Sequence, residues 1–189
     1  MLFRSLFINA CVRKNSRTRR LADCLLKKLD EPFTEVRLDG IRFPVTDEDY
    51  LDTGDRLIAE EKFSDPAFSR ARQFAGADRI VIAAPYWDLS FPASLKQYFE
   101  HINVRGITFT YTPEGIPKGL CRAKDLYYVT TAGGNYVPEE YGFGYVKALA
   151  AGYYGITDVK LIQAAGLDID GADVDRIMDE AYSVIAQAI

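Results

Sequence analysis

Short apolar runs alternate along this chain with longer stretches of helical periodicity. The runs are Leu2–Ala10, Phe33–Leu38, Arg79–Ala84, Leu126–Thr131 and Val159–Gly166. Ile80, Val81, Ile82, Ala83 and Ala84 are consecutive and apolar, the pattern of a strand covered on both faces. Between the runs, apolar residues recur three and four apart. Leu21, Ala22, Leu25 and Leu29 make one helical face, Phe91, Leu95, Tyr98, Phe99 and Ile102 a second, and Val174, Ile177, Met178, Ala181 and Ile185 a third. Five strands interleaved with helices predict an α/β domain: a parallel sheet, right-handed crossovers and helices on both faces. Two common strand orders satisfy the pattern. Either one places a ligand crevice outside the strand C-termini, where the order reverses. Function is therefore sought in the loops after the first, third and fourth strands. No repeat, low-complexity tract or Pro/Gly/Ser linker interrupts the pattern, so residues 1–189 are expected to form a single domain.

Two segments exceed this plan. Gly40–Gly76 is longer than one crossover helix needs and carries Asp47, Glu48, Asp49, Asp52, Asp55, Glu60 and Glu61, the composition of one or two additional solvated helices. Gly106–Gly115 strings together β-branched and aromatic residues before Pro113 and Gly115, and predicts a short β excursion between a helix and the fourth strand. Such additions often cover a site or form a partner surface.

Composition narrows the classes. Apolar residues are 48% of the 189, enough to pack a core. With 23 basic against 27 acidic residues and a formal charge of −4, a general nucleic-acid binder is disfavoured. Cys11, Cys24 and Cys121 form no C-x-x-C pair and leave one thiol over, the usage of a reducing compartment. With His101 as the single histidine, no metal site is expected. The apolar stretch after Met1 is too short for a signal-peptide core, and no later stretch approaches a membrane span. The sequence thus predicts a cytoplasmic protein with neither membrane nor nucleic acid as partner.

The loop after the first strand reads Cys11-Val12-Arg13-Lys14-Asn15-Ser16-Arg17-Thr18-Arg19-Arg20 and leads into a helix. Hydroxyls at Ser16 and Thr18, with Arg17 between them at a helix N-terminus, make a phosphate cradle, because free N–H groups and the positive dipole end favour an anion. The alternative is that Ser16 is only an N-cap and the arginines only surface charge. A basic first turn opposes the dipole, and a bound anion would relieve it. Neither G-x-G-x-x-G nor G-x-x-x-x-G-K-[ST] occurs, which disfavours a Rossmann dinucleotide site and a nucleotide triphosphatase. After the third strand come Pro85, Tyr86, Trp87, Asp88 and Leu89, with Ser90 and Pro92 expected to start the next helix. After the fourth come Thr131, Ala132, Gly133 and Gly134, whose glycines let backbone approach a flat ligand. G-x-S-x-G is absent and His101 sits within a helical pattern, so serine or cysteine hydrolysis has little support. Cys11 reads as an ordinary strand-end cysteine.

At these loops the sequence resembles the flavodoxin-like NAD(P)H:quinone reductase family, and most of all the FMN-dependent NADH-azoreductases. The resemblance covers nearly the whole chain. It is most specific from Ala84 through the Pro and aromatic loop, then Pro92-Ala93-Ser94-Leu95-Lys96-Gln97-Tyr98-Phe99-Glu100 and Gly106-Ile107-Thr108-Phe109-Thr110-Tyr111. Thr130–Gly134 and Tyr154–Val159 look like later family segments. The resemblance implies a flavodoxin-like three-layer fold with strand order 2-1-3-4-5, a homodimer, and FMN held non-covalently. Ser16, Arg17 and Thr18 would hold the phosphate. Pro85, Tyr86, Trp87, Asp88 and Leu89 would line the ring, as would Thr131, Ala132, Gly133 and Gly134. Tyr136 and Tyr111 would stand on the substrate side. Three positions depart from the family: Cys11 replaces a hydroxyl residue, Asp88 an asparagine, and Tyr136 a histidine found in some members.

The expected activity is two-electron, ping-pong reduction of a quinone or azo compound by NADH or NADPH through FMN, with no side chain required as acid or base. A flavodoxin-type electron carrier without a substrate pocket is the alternative. A phosphoacceptor domain of similar topology would need acidic strand ends, and Asn9-Ala10 speaks against it.

Overall fold

Strands whose sequences are apolar at consecutive positions form the interior of the sheet. The computed structural model describes residues 4–189. In chain order its strands are β1 (Ser5–Asn9), β2 (Phe33–Arg37), β3 (Arg79–Ala83), β4 (Phe109–Tyr111), β5 (Pro117–Gly119), β6 (Asp125–Thr131) and β7 (Asp158–Ala164). Its α-helices are α1 (Arg17–Leu29), α2 (Glu48–Ala59), α3 (Ser69–Ala75), α4 (Ala93–Ile102), α5 (Phe143–Leu149) and α6 (Val174–Ala188). Leu2 and Phe3, placed by their sequence in the first strand, lie outside the described residues. The main sheet is parallel with order β2-β1-β3-β6-β7, the flavodoxin-like order that the resemblance implies. The β excursion exists as well, but as a hairpin: Phe109–Tyr111 pairs antiparallel with Pro117–Gly119.

Alternation along the strands divides the core between the two faces. Leu6, Ile8, Ile80, Ile82, Leu126 and Tyr128 pack with α3, α4 and α5, while Phe7, Val81, Ala83, Tyr127, Val129 and Ile162 pack with α1 and α6. In α4, Leu95, Tyr98, Phe99 and Ile102 are buried, as their spacing requires. Each such side chain contributes roughly 1.5–3 kcal/mol relative to exposure. Phe91 precedes that helix and packs its ring on Phe99 and Tyr145. At the far end from the strand C-termini, Arg79 makes a bidentate pair with Asp125, at 2.7 and 2.8 Å, tying β3 to β6.

The long acidic segment after β2 forms α2 and α3, with short 3-10 turns at Leu38–Gly40 and Pro66–Phe68. Asp47, Glu48, Asp49, Asp52, Asp55, Glu60 and Glu61 are exposed, and Asp65 is half-buried. The segment is pinned at His101, where the Tyr50 hydroxyl lies 2.5 Å from Nδ1 and the Phe43 ring stacks at 5.0 Å. Burial, helped by nearby Arg70, lowers the His101 pKa below its ordinary value, with Glu100 and the Pro44 backbone opposing. The unfolded chain then takes up the proton more readily than the native one. This contribution is fully present above the unfolded value of about 6.5, and is lost as pH falls from there towards the lower native value. Urea unfolding between pH 8 and 5 should show stability falling with pH. His101→Gln should flatten that part of the profile, and an identical slope in the variant would show that other groups carry it.

Among the described residues no helix is long and apolar enough to cross a membrane.

Candidate functional site

The order of the sheet reverses at β1, whose neighbours β2 and β3 lie on either side. The chain leaves β1 for α1 on one face and β3 for α4 on the other, so the two loops part and open a crevice. A cleft of about 280 Å³ occupies this place. Its walls come from the loop after β1 and the start of α1 (Val12, Arg13, Asn15, Ser16, Arg17, Thr18), from Pro85, Tyr86 and Trp87 after β3, and from Thr131, Ala132 and Gly133 after β6. Leu167 and Asp168, after β7, close it.

Nine of the twelve residues expected to hold a cofactor therefore meet around one cleft, and Asp88, Leu89 and Gly134 fall outside its lining. Tyr136 and Tyr111 are also outside it, 75% and 45% exposed. Two lining residues, Leu167 and Asp168, gave no signal in the sequence. Neither sits in a motif, and only the pairing of the loop after β6 with the loop after β7 brings them in. That pairing runs through Leu167 N–H to Ala132 O at 3.2 Å and Asp168 N–H to Gly133 O at 2.9 Å.

One end of the cleft is formed by the N-terminus of α1. Ser16 caps α1, its Oγ accepting from the Arg19 N–H at 3.2 Å, and the first turn holds no acidic residue. The Ser16 hydroxyl proton remains available to donate. Thr18 is buried, and its Oγ1 lies 2.6 Å from Thr131 Oγ1, so the side chain ties α1 to β6. The basic first turn is also relieved mainly within the protein. Arg17 donates to Leu167 O at 2.8 Å and pairs with Asp168, and Arg19 binds both Asp23 and Glu35. Arg13 is exposed on the cleft wall, with no ion pair among the described residues. Burial pushes the Cys11 thiol up from its ordinary value, with the Ser16 hydroxyl and Arg19 pulling the other way, so Cys11 is not poised as a thiolate.

The other end presents flat surfaces. Tyr86 N–H donates to Thr131 O at 3.0 Å and fixes the aromatic loop to the end of β6. Trp87 and Ser90 exchange N–H···O bonds of 2.9 and 2.8 Å around Asp88 and Leu89, whose φ angles are 50° and 69°. This is a two-residue turn with both central residues left-handed, the geometry that Asp-Gly or Asn-Gly adopts easily. Leucine there carries strain of about 1–3 kcal/mol, and the turn holds Trp87 at the lip of the cleft. Ser90 does not cap α4 as its position suggested; its hydroxyl donates to Tyr141 O at 2.5 Å, and the helix starts after Pro92 with no side-chain cap. At Gly133 a Cβ would stand 2.4 Å from Asp168 Oδ2, so a side chain there would displace the carboxylate that holds Arg17.

A helix N-terminus joined to aromatic and small-residue walls, at the switch point of a parallel sheet, is the crevice of a flavodoxin-like fold. The comparisons with known proteins agree. The family described as having a flavodoxin-like fold matches residues 4–189, and the chain belongs to it. The FMN-dependent NADH:quinone oxidoreductase of Lachnoclostridium phytofermentans is 39% identical over 93% of this chain and 92% of its own length. That of Clostridium beijerinckii is 36% identical, over 92% and 90%. In fold the chain is similar to the azoreductase of Bacillus anthracis strain Sterne, with a TM-score of 0.84, 24% identity and 98% of each chain covered.

Proposed function

We propose that this protein is an FMN-dependent oxidoreductase that uses NADH, and NADPH as the expected second donor, to reduce quinones or azo compounds in a ping-pong cycle. One observation supports the reading: the same cleft has the Ser16-capped N-terminus of α1, free of acidic residues in its first turn, at one end and Tyr86 and Trp87 at the other. The names of the oxidoreductase relatives support it. When bound, FMN supplies the hydride chemistry. The Ser16 hydroxyl and the N-terminus of α1 hold its phosphate, with Arg13 adding charge. Pro85, Tyr86 and Trp87 form one wall for the ring, and Thr131, Ala132 and Gly133 the other. Arg17 acts by holding Asp168, and Thr18 by holding Thr131. Gly134, Asp88 and Leu89 would join in lining the ring, and Tyr136 and Tyr111 would stand on the substrate side. Residues 1–189 act as one domain.

A homodimer completes the site. Trp87, Leu89, Tyr111, Ile116, Leu120, Tyr136 and Tyr141 are large apolar side chains left exposed by the hairpin and the loops around the cleft. A closed two-fold dimer would cover them. The three thiols are free in the structure, which suits a cytoplasmic setting.

Protein reconstituted with FMN should be yellow, bleach on addition of NADH alone, and regain colour with a quinone. Sedimentation at micromolar concentration should give twice the chain mass. A protein that cannot be loaded with FMN would overturn the assignment, and one that loads but needs a partner reductase to bleach would be an electron carrier instead.

A further inference from the structure

The loop after β7 joins two walls of the cofactor cleft. On one side it runs against the loop after β6. Gly166 N–H donates to Gly134 O at 3.0 Å, Leu167 N–H to Ala132 O at 3.2 Å and Asp168 N–H to Gly133 O at 2.9 Å. These bonds engage the carbonyls of Ala132, Gly133 and Gly134, whereas the Gly133 N–H has no acceptor among the described residues. On the other side Arg17, in the first turn of α1, donates to Leu167 O at 2.8 Å and pairs with Asp168. Asp168 Oδ1 makes that pair, while Oδ2 lies over Gly133, close enough that a Cβ there would clash with it.

Asp168 is the one carboxylate among the residues that line the cleft. Its side chain is 65% exposed and that of Arg17 28%. An ion pair so open to water adds little to the stability of the whole fold. Its effect is local: it fastens a loop whose remaining bonds all run to the Ala132–Gly134 wall. That wall suits a flat ring, since Gly133 brings no side chain and leaves a backbone donor unused. Groups that touch a ligand keep their aim only where bonded neighbours hold them.

We infer that Asp168 is a positioning residue for the flavin ring: by clasping Arg17 it holds the loop after β7, and through that loop it sets the Gly133 N–H that the ring meets. The inference rests on the FMN reading above and goes beyond it by giving Asp168 an effect on the cofactor's potential. Reduction adds negative charge to the ring, and a donor bonds a charged acceptor more strongly than a neutral one. A well-held N–H therefore favours the reduced cofactor, and a loosened one favours it less.

Riboflavin lacks the phosphate and so reports on the ring walls alone. In fluorescence titrations Asp168→Asn and Arg17→Gln should each weaken riboflavin binding about threefold to tenfold. The double variant should lose no more than either single one, because all three have lost the same clasp. Spectroelectrochemical titration should show the midpoint potential of bound FMN more negative in both single variants. The shared sign is decisive, since the two substitutions change the local charge in opposite directions. A carboxylate acting through charge alone would raise the potential in Asp168→Asn and lower it in Arg17→Gln. Potentials that move oppositely, losses that add in the double variant, or riboflavin affinity and potential unchanged in Asp168→Asn would overturn the assignment while wild type still loads FMN. Failure of wild type to load FMN would instead overturn the reading on which it rests.

Discussion

Ser16→Ala should weaken FMN binding about tenfold to a hundredfold while leaving riboflavin affinity nearly unchanged. The Ser16 oxygen is engaged as the cap of α1, accepting from Arg19 N–H at 3.2 Å, and its proton is the donor left for a phosphate. A hydrogen bond to a charged group contributes about 1.5–3 kcal/mol, and each 1.4 kcal/mol is about tenfold in affinity. Loss of the cap also costs about 1 kcal/mol of stability, so both ligands are compared at a temperature where the variant is folded. Thr18→Ala is the informative contrast. Its hydroxyl also bonds Thr131 Oγ1, so its removal loosens the junction of α1 with β6 and should weaken riboflavin as well as FMN. Fluorescence titration with the two flavins decides. Equal losses for both in Ser16→Ala would place the phosphate elsewhere.

Gly119→Ala should be among the most destabilising single changes in the chain. A Cβ at Gly119 would lie 2.2 Å from Gly155 N and 2.2 Å from Tyr154 C, backbone atoms that cannot rotate away. The crossing docks the β4–β5 hairpin on the turn after α5, and Gly155 meets it with φ at +76°. Overpacking usually costs 1–3 kcal/mol, occasionally more, and a clash against backbone belongs at the upper end. At roughly 2–4 °C per kcal/mol for a chain of this size, a loss of about 3 kcal/mol lowers the thermal midpoint by about 6–12 °C. Gly152→Ala is the control, since a Cβ there meets nothing within 4 Å. Melting curves followed by circular dichroism would refute the close crossing if the two variants shift alike.

The sequence by itself determined the layers, the five-stranded frame and the loops that carry the site. All three depend on local signals. Consecutive apolar residues mark strands buried on two faces, spacings of three and four mark helices covered on one, and Ser16 marks where α1 begins. The partner of the β4 strand was not legible, because Pro117 and Gly119 carry no strand preference; their pairing comes from docking against Tyr154 and Gly155. The turn at Asp88-Leu89 was hidden for a related reason, since leucine gives no sign of a left-handed backbone that its surroundings impose.

Only the tertiary structure decided where the charges go. The basic run at Arg17–Arg20 looked like counter-charge for a bound anion, yet Arg17 is taken by Asp168, 151 positions away, and Arg19 by Glu35 on the neighbouring strand. Thr18, on the cleft wall as expected, also bonds Thr131, 113 positions away. The periodicity of a chain encodes which face a residue presents. It does not encode which residue from a distant segment arrives opposite that face, and a hydrogen bond or ion pair depends on that arrival to within a few tenths of an ångström.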